Sequence, residues 1–232
     1  MTDQPVLSEV EAEKRRAGYR AADFVDDGML VGLGSGSTSK YAVEALGLRV
    51  RAGLKIRGVP TSETTRGWAE AAGIPLVPLA EVESLDVAID GADEVDPALE
   101  LIKGGGGAHL REKIVASLAR RFIVVVDAKK LVPKLGAFPL PVEVAPFAEP
   151  VVARLLERLG GKPSLRMKAG EPYLTDNGFR ILDCAFGRIE DPAGLARTLD
   201  GLPGVAEHGL FCGMASLVVV GRRYGVELIP RT

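Results

Sequence analysis

Cysteine and histidine are scarce in this sequence. Two of each, Cys184, Cys212, His109 and His208, occur in 232 residues. Two cysteines cannot build a disulfide framework, and both read as small core residues in a reducing compartment. Neither histidine has a second His or Cys at ligand spacing, which argues against a zinc site. An excess of one charge is missing too. The 29 Lys and Arg oppose 31 Asp and Glu, a net charge of −2, and no basic run is long enough to serve as a nucleic-acid or membrane-binding tail. A small anionic substrate must therefore be caught by local groups, because the field of the whole protein does not attract it. No apolar run reaches the length of a membrane span. The opening Met1-Thr2-Asp3-Gln4 carries an acid and no apolar core, so no signal peptide is expected. These absences predict a cytoplasmic protein with no nucleic-acid or membrane partner. What is present, 47% hydrophobic and 26% charged residues, matches an ordinary globular protein whose core needs no staples.

Short apolar runs alternate with helical patterns through the first half. Residues 8–26 read as an amphipathic helix. Met29–Gly34, Leu54–Val59, Ile74–Leu79, Leu85–Asp90 and Phe122–Asp127 read as strands, with helices near 38–52 and 107–121 and a helix capped by Thr61 or Ser62. Such alternation predicts βαβ units and a mainly parallel sheet, with the loops that follow the strands gathered on one edge. After Lys130 the pattern changes. Pro133, Pro139, Pro141 and Pro146 punctuate a linker and a strand at Val142–Phe147, and a helix at Glu149–Leu159 ends at Gly160-Gly161. Leu165–Lys168 and Phe179–Cys184 flank a turn at Asp176-Asn177-Gly178. A helix from Asp191 and a strand at Val205–Phe211 complete β-α-β-β-α-β, the order of a ferredoxin-like split βαβ unit. Ser216–Gly221 and Gly225–Ile229 then rejoin the first sheet. The expected fold is α/β: a Rossmann-like domain, 1–131 plus 212–232, interrupted by a smaller α+β domain, 132–211.

Four segments carry chemistry. Gly32-Leu33-Gly34-Ser35-Gly36-Ser37-Thr38 joins a strand to a helix, where backbone amides hold anions and the hydroxyls of Ser35, Ser37 and Thr38 suit phosphate. It is not a dinucleotide fingerprint. Counted from Gly32 the third glycine is Ser37, counted from Gly34 it is Ser39, and Pro60-Thr61-Ser62 stands where an acid is needed. Asp90-Gly91-Ala92-Asp93-Glu94-Val95-Asp96 follows a buried strand at the edge where α/β proteins bind ligands. Crowded carboxylates there raise one another's pKa and exchange protons with hydroxyls. A solvated loop is the competing reading of these acids, and a Mg²⁺ site a lesser one. Lys103 leads into four glycines, Gly104–Gly107, before a helix bearing Glu112. Four glycines in a row are entropically unfavourable unless ligand or backbone approaches closely. Glu112 lies at the margin of the apolar face, where partial desolvation moves a carboxylate towards the pH at which a base works. Asp127-Ala128-Lys129-Lys130, again after an apolar strand, offers a lysine to the same edge.

In this order and on these elements, the segments closely resemble the type A ribose-5-phosphate isomerases. The likeness extends through LIKGGGG, LREKIVA, DAKKLV, FPLPVEVAPF, LTDNGFRILD and VAEHGLF, nearly the whole chain. The resemblance implies reversible conversion of D-ribose 5-phosphate into D-ribulose 5-phosphate, within the non-oxidative pentose phosphate pathway, without cofactor or metal, in a homodimer or homotetramer. Position by position it implies Glu112 as the base moving a proton between C2 and C1. Asp90 and Asp93 assist ring opening and proton exchange at O1 and O2, and Lys103 stabilises the enediolate. Ser35, Gly36, Ser37 and Thr38, with Lys130 or its neighbour Lys129, hold the substrate, chiefly its phosphate. Gly91, Ala92, Gly104, Gly105 and Gly106 line the sugar, and Lys14 is a further phosphate contact. The chain departs from the family pattern in its unbroken glycine run and in His109. Two rivals differ in class. A nicotinamide oxidoreductase lacks its glycine and its acid here. A non-catalytic sugar-phosphate sensor expects an appended DNA-binding domain and a degraded acid set, whereas fewer than 30 residues precede the first strand and all four polar residues are present.

Overall fold

The computed structural model describes residues 8–231; Met1–Gln4, read above for a signal peptide, lie outside them. Helix α1 (Glu9–Ala22) starts at Ser8, whose hydroxyl accepts from the Glu11 amide. Strand β1 (Leu30–Leu33) follows, then α2 (Ser37–Arg51), β2 (Arg57–Pro60), α3 (Glu63–Ala72) and β3 (Val87–Gly91). Apart from Glu13, the buried residues of α1 are small: Ala17, Gly18, Ala21 and Ala22. A Cβ on Gly18 would stand 2.7 Å from the Ala42 nitrogen, so glycine is what lets α1 and α2 pack this closely. The Ser62 hydroxyl caps α3 by accepting from the Thr65 amide. Two short strands, β4 (Glu94–Val95) and β5 (Leu101–Ile102), precede α4 (His109–Leu118) and the fully buried β6 (Phe122–Asp127).

The second half contributes β7 (Leu140–Val144), α5 (Glu149–Arg158), β8 (Lys162–Leu165), β9 (Met167–Lys168), β10 (Glu171–Pro172), β11 (Arg180–Ala185) and α6 (Pro192–Asp200). It ends with β12 (Val205–His208), β13 (Leu210–Phe211), β14 (Leu217–Arg222) and β15 (Gly225–Pro230). The main sheet has the order β15-β14-β6-β3-β1-β2. It is parallel from β2 to β14, with β15 antiparallel at the edge. One apolar cluster packs α1 and α2 on one face of this sheet, and a second lies on the other face under α4 and Phe211. The order β12-β7-β11-β8 is the antiparallel ferredoxin-like sheet, with its own core including Val142, Val152, Leu156 and Leu199. A third sheet, β13-β5-β4, joins the two halves.

Several predicted strands shift or break, each for a local reason. Leu54 and Lys55 are drawn into the turn that pairs Gly28 with the Lys55 carbonyl, so β2 begins at Arg57. Ile74–Leu79 is no strand. It makes a single bridge, Gly58 to Leu76, because Pro75 and Pro78 remove the amides a longer ladder needs. Residues 165–168 divide: Leu165 pairs with Leu182, while Met167 and Lys168 fold back onto Glu171 and Pro172 around Ala169-Gly170, both at positive φ. The single strand read at Val205–Phe211 breaks at Gly209, whose missing side chain admits the Lys103 carbonyl, and β13 leaves for the small sheet. Helix α4 is shorter than 107–121 at both ends.

Candidate active site

The loops after β1, β3 and β6 and the segment after β5 meet at a cavity of about 610 Å³. Gly34 passes against Asp90, where a Cβ would lie 2.2 Å from the carboxylate. Gly36, at φ 95°, is the N-cap of α2 and offers no side chain to its first-turn amides, and no acid occupies that turn. Unpartnered amides at the positive end of a helix form an anion site. Ser37 and Thr38 line the cavity beside it, and Lys14, Lys129 and Lys130 line the same cavity. The Ser35 hydroxyl departs from expectation. It bonds the hydroxyls of Thr61 and Ser62, both at 2.8 Å, and of Thr65 at 3.1 Å, tying β1 to the start of α3. Ser35 therefore reaches the cavity with its backbone, and its hydroxyl is committed elsewhere.

Beneath the cavity lies a buried charge cluster. Asp90 is the penultimate residue of β3, Lys103 follows β5 directly, and Glu112 occupies the first turn of α4; they are 3%, 2% and 5% exposed. The Lys103 ammonium stands 3.0 Å from Asp90 Oδ2 and 3.1 Å from Glu112 Oε2 and donates to the Gly91 carbonyl. Asp90 Oδ1 is held by the Ser39 hydroxyl at 3.0 Å and the Gly91 amide at 2.7 Å. The other oxygens, Asp90 Oδ2 and Glu112 Oε2, meet the ammonium as a nearby charge and have no aligned donor, which leaves acceptor capacity for a ligand. Burial, then the charge of Asp90, pushes the Glu112 carboxyl up to about 8, against the pull of Lys103. Burial alone would lower Lys103, but Asp90 and Glu112 outweigh it and hold the ammonium protonated. Glu112 is thus enclosed rather than marginal. A carboxyl poised near neutral pH, beside a fixed cation, can take up a proton and return it.

The four acids of the second segment diverge. Asp93 accepts from the Gly105 amide at 2.8 Å, with Lys130 3.9 Å away. Glu94 holds the Gly136 and Phe138 amides at 2.7 and 2.6 Å, which folds residues 137–139 over the cavity. Asp96 accepts from the Ala98 and Glu100 amides. Acids with separate partners do not make the convergent set a Mg²⁺ ion needs. Three possible ligands do converge elsewhere, on Asp200, Glu207 and His208. The Lys113 ammonium already occupies Glu207 there.

Gly91, Ala92, Gly104 and Gly106 line the cavity, and the Gly105 amide donates to Asp93 beside it. In the sequence Glu94 is one acid among four, and no local signal marks its role in folding the linker. Arg166, Glu143 and Tyr173 carry no sequence signal that points to the site. Arg166 donates to the Gly104 and Gly105 carbonyls at 2.9 and 3.2 Å. The Tyr173 hydroxyl leaves Gly107 no room for a side chain. Glu143 lies 3.6 Å from His109 Nε2, and both residues are fully buried. The approach is no hydrogen bond: both His109 nitrogens and Glu143 Oε2 are buried without a hydrogen-bond partner among the described residues.

Residues 57–225 match the family model described as ribose 5-phosphate isomerase A (phosphoriboisomerase A). A ribose-5-phosphate isomerase A of Thermomicrobium roseum is 54% identical over 225 residues, covering 96% of this chain and 95% of the other. The solved ribose 5-phosphate isomerase A of Methanocaldococcus jannaschii superposes with a TM-score of 0.91 at 44% identity, over 95% of this chain and 99% of that one. A D-ribose-5-phosphate isomerase solved in complex with phospho-erythronic acid gives 0.93 at 43% identity, over 96% and 99%.

Proposed function

The chain belongs to the ribose 5-phosphate isomerase A family, and from that premise we propose how its cavity performs the reaction. It is an aldose–ketose isomerase interconverting D-ribose 5-phosphate and D-ribulose 5-phosphate, a step of the non-oxidative pentose phosphate pathway. In our reading the phosphate rests on the α2 N-terminus, between the amides of Gly36, Ser37 and Thr38 and the ammonium of Lys130 or Lys129. Asp90 and Asp93 exchange protons with the ring oxygen and with O1 and O2, which opens the sugar. Glu112 removes the C2 proton of the open aldose. The electron pair passes into the C1–C2 bond and charge collects on oxygen, where Lys103 neutralises it. Glu112 then returns the proton to C1. A planar enediolate between one base and one cation needs no other group, so we assign the reaction no metal and no cofactor. Activity should survive exhaustive EDTA treatment, and loss restored by Mg²⁺ would overturn the roles of Asp90 and Asp93. Residues 1–131 and 212–232 hold the reacting groups, and 132–211 supports them. A cytoplasmic homodimer or homotetramer completes the proposal.

The observation that carries the assignment is Glu112 itself, buried 3.1 Å from Lys103 with its carboxyl near 8. Its test is isotopic. In D₂O the parent enzyme should wash deuterium into C1 of the product, whereas Glu112→Gln should form no labelled product above the uncatalysed rate. Wash-in by the variant would place the base elsewhere.

A further inference from the structure

The glycine loop has no side chains of its own to fix it. Its internal hold is one bond from the Gly107 amide to the Gly104 carbonyl, with Lys103 anchored to Gly209 before it. Arg166, just after β8, supplies the rest from another sheet. Its Nε and Nη2 donate to the two carboxylate oxygens of Asp183 on β11, a bidentate pairing that fixes the guanidinium plane. Its remaining nitrogen, Nη1, donates to both the Gly104 and Gly105 carbonyls. In a trans peptide the carbonyl and the next amide point in opposite directions. Drawing both carbonyls towards Arg166 therefore turns the Gly105 and Gly106 amides to the far side. There the Gly105 amide meets Asp93 at 2.8 Å, and Gly106 lines the cavity with no acceptor for its amide among the described residues.

We propose that Arg166 is a positioning residue for the isomerisation: by holding two loop carbonyls, it makes the Gly105 amide orient Asp93 and aims the Gly106 amide at a substrate oxygen. This rests on the site reading given above. Glycine peptides flip at little cost, so without this clamp Asp93 loses its orienting donor and the sugar loses an amide. The phosphate end, built on α2, keeps its groups.

The test separates the two ends of the cavity. Arg166→Ala should lower kcat for D-ribose 5-phosphate roughly 10- to 100-fold, the range for losing charge-assisted hydrogen bonds. The inhibition constant of inorganic phosphate should stay within about twofold of the parent value, since it reports the α2 end alone. Arg166→Lys keeps the charge but cannot span Asp183 and both carbonyls, and should recover only part of the loss. A kcat within about threefold of the parent, or a phosphate affinity falling in step with kcat, would overturn the proposal. Glu112→Gln measured in parallel keeps the two readings apart. If it is inactive while Arg166→Ala is not, the clamp fails and the site stands; if it is active, the site reading itself fails.

Discussion

Helix α4 carries two buried ionisable side chains one turn apart, and their surroundings differ. Glu112 faces the cavity, with Lys103 and Asp90 around it. His109 faces away, closed in by Glu143 at 3.6 Å and by the loop at Gly104. Burial is the largest influence on both, and it favours the neutral form of each. It pushes Glu112 up to about 8 and, joined by the charges of Lys113 and Arg166, pushes His109 down to about 3. Only Glu112 has space in front of it and a cation able to steady its charged form. His109 is neutral over the whole working range and has nothing to react with. Histidine is the commonest general base, yet the base we propose on this helix is the glutamate, while its histidine is fully buried beside Glu143.

The contrast breaks first at Glu112. Glu112→Gln preserves shape and removes the base, so kcat should fall by roughly 10²–10⁴ with little change in substrate affinity. A variant retaining more than about a tenth of the parent kcat would sink the assignment. Lys103→Met comes next. Without the ammonium the enediolate loses its counter-charge, at a cost of about 10²–10³ in kcat. Glu112, relieved of the Lys103 cation that lowers its pKa, should also titrate at higher pH. A pH–rate profile shows both effects at once.

The same profile compares the two sides of the helix. Glu112 must be ionised to accept the C2 proton, so kcat/KM should rise about tenfold per pH unit up to roughly pH 8 and then level off. His109→Leu should leave that limb where it is while lowering thermal stability. A limb that moved with His109 would mean the histidine takes part. Stability gives the complementary reading. The folded His109 binds its proton later than the unfolded one, with values of about 3 against 6.5. The parent should therefore lose stability as pH falls from about 6.5 towards 3, on the order of 1 kcal/mol per pH unit from this group. His109→Leu should flatten that slope. The smallest effect belongs to the lysines proposed for the phosphate. Lys130→Ala should raise KM roughly two- to fivefold, as for an exposed ion pair, with kcat unchanged and Lys129→Ala milder. The reverse order would assign the contact to Lys129.

Much of the site is legible locally. Asp90, Lys103 and Glu112 each stand in a short motif, at a strand end or a helix start, where backbone geometry dictates what the next residue can reach. The glycines, the helix caps and the alternating apolar runs are signals of the same short range. Less legible were the depth of Glu112, the direction of the Ser35 hydroxyl and the fate of Ile74–Leu79. These depend on which neighbours arrive, and Thr61, Ser62 and Thr65 reach Ser35 from across a separate strand–helix crossover.

The sequence by itself determined the alternation of strands and helices, the split βαβ order, and the residue types that gather where the parallel strands end, because periodicity and turn chemistry are written into neighbouring residues. Only the tertiary structure decided that Arg166 holds the glycine loop, that Glu143 closes over His109, and that Glu94 folds the linker onto the cavity. Those contacts join residues 34 to 62 positions apart. A contact across such a distance leaves no local pattern, since it forms only once separate parts of the chain have packed against each other.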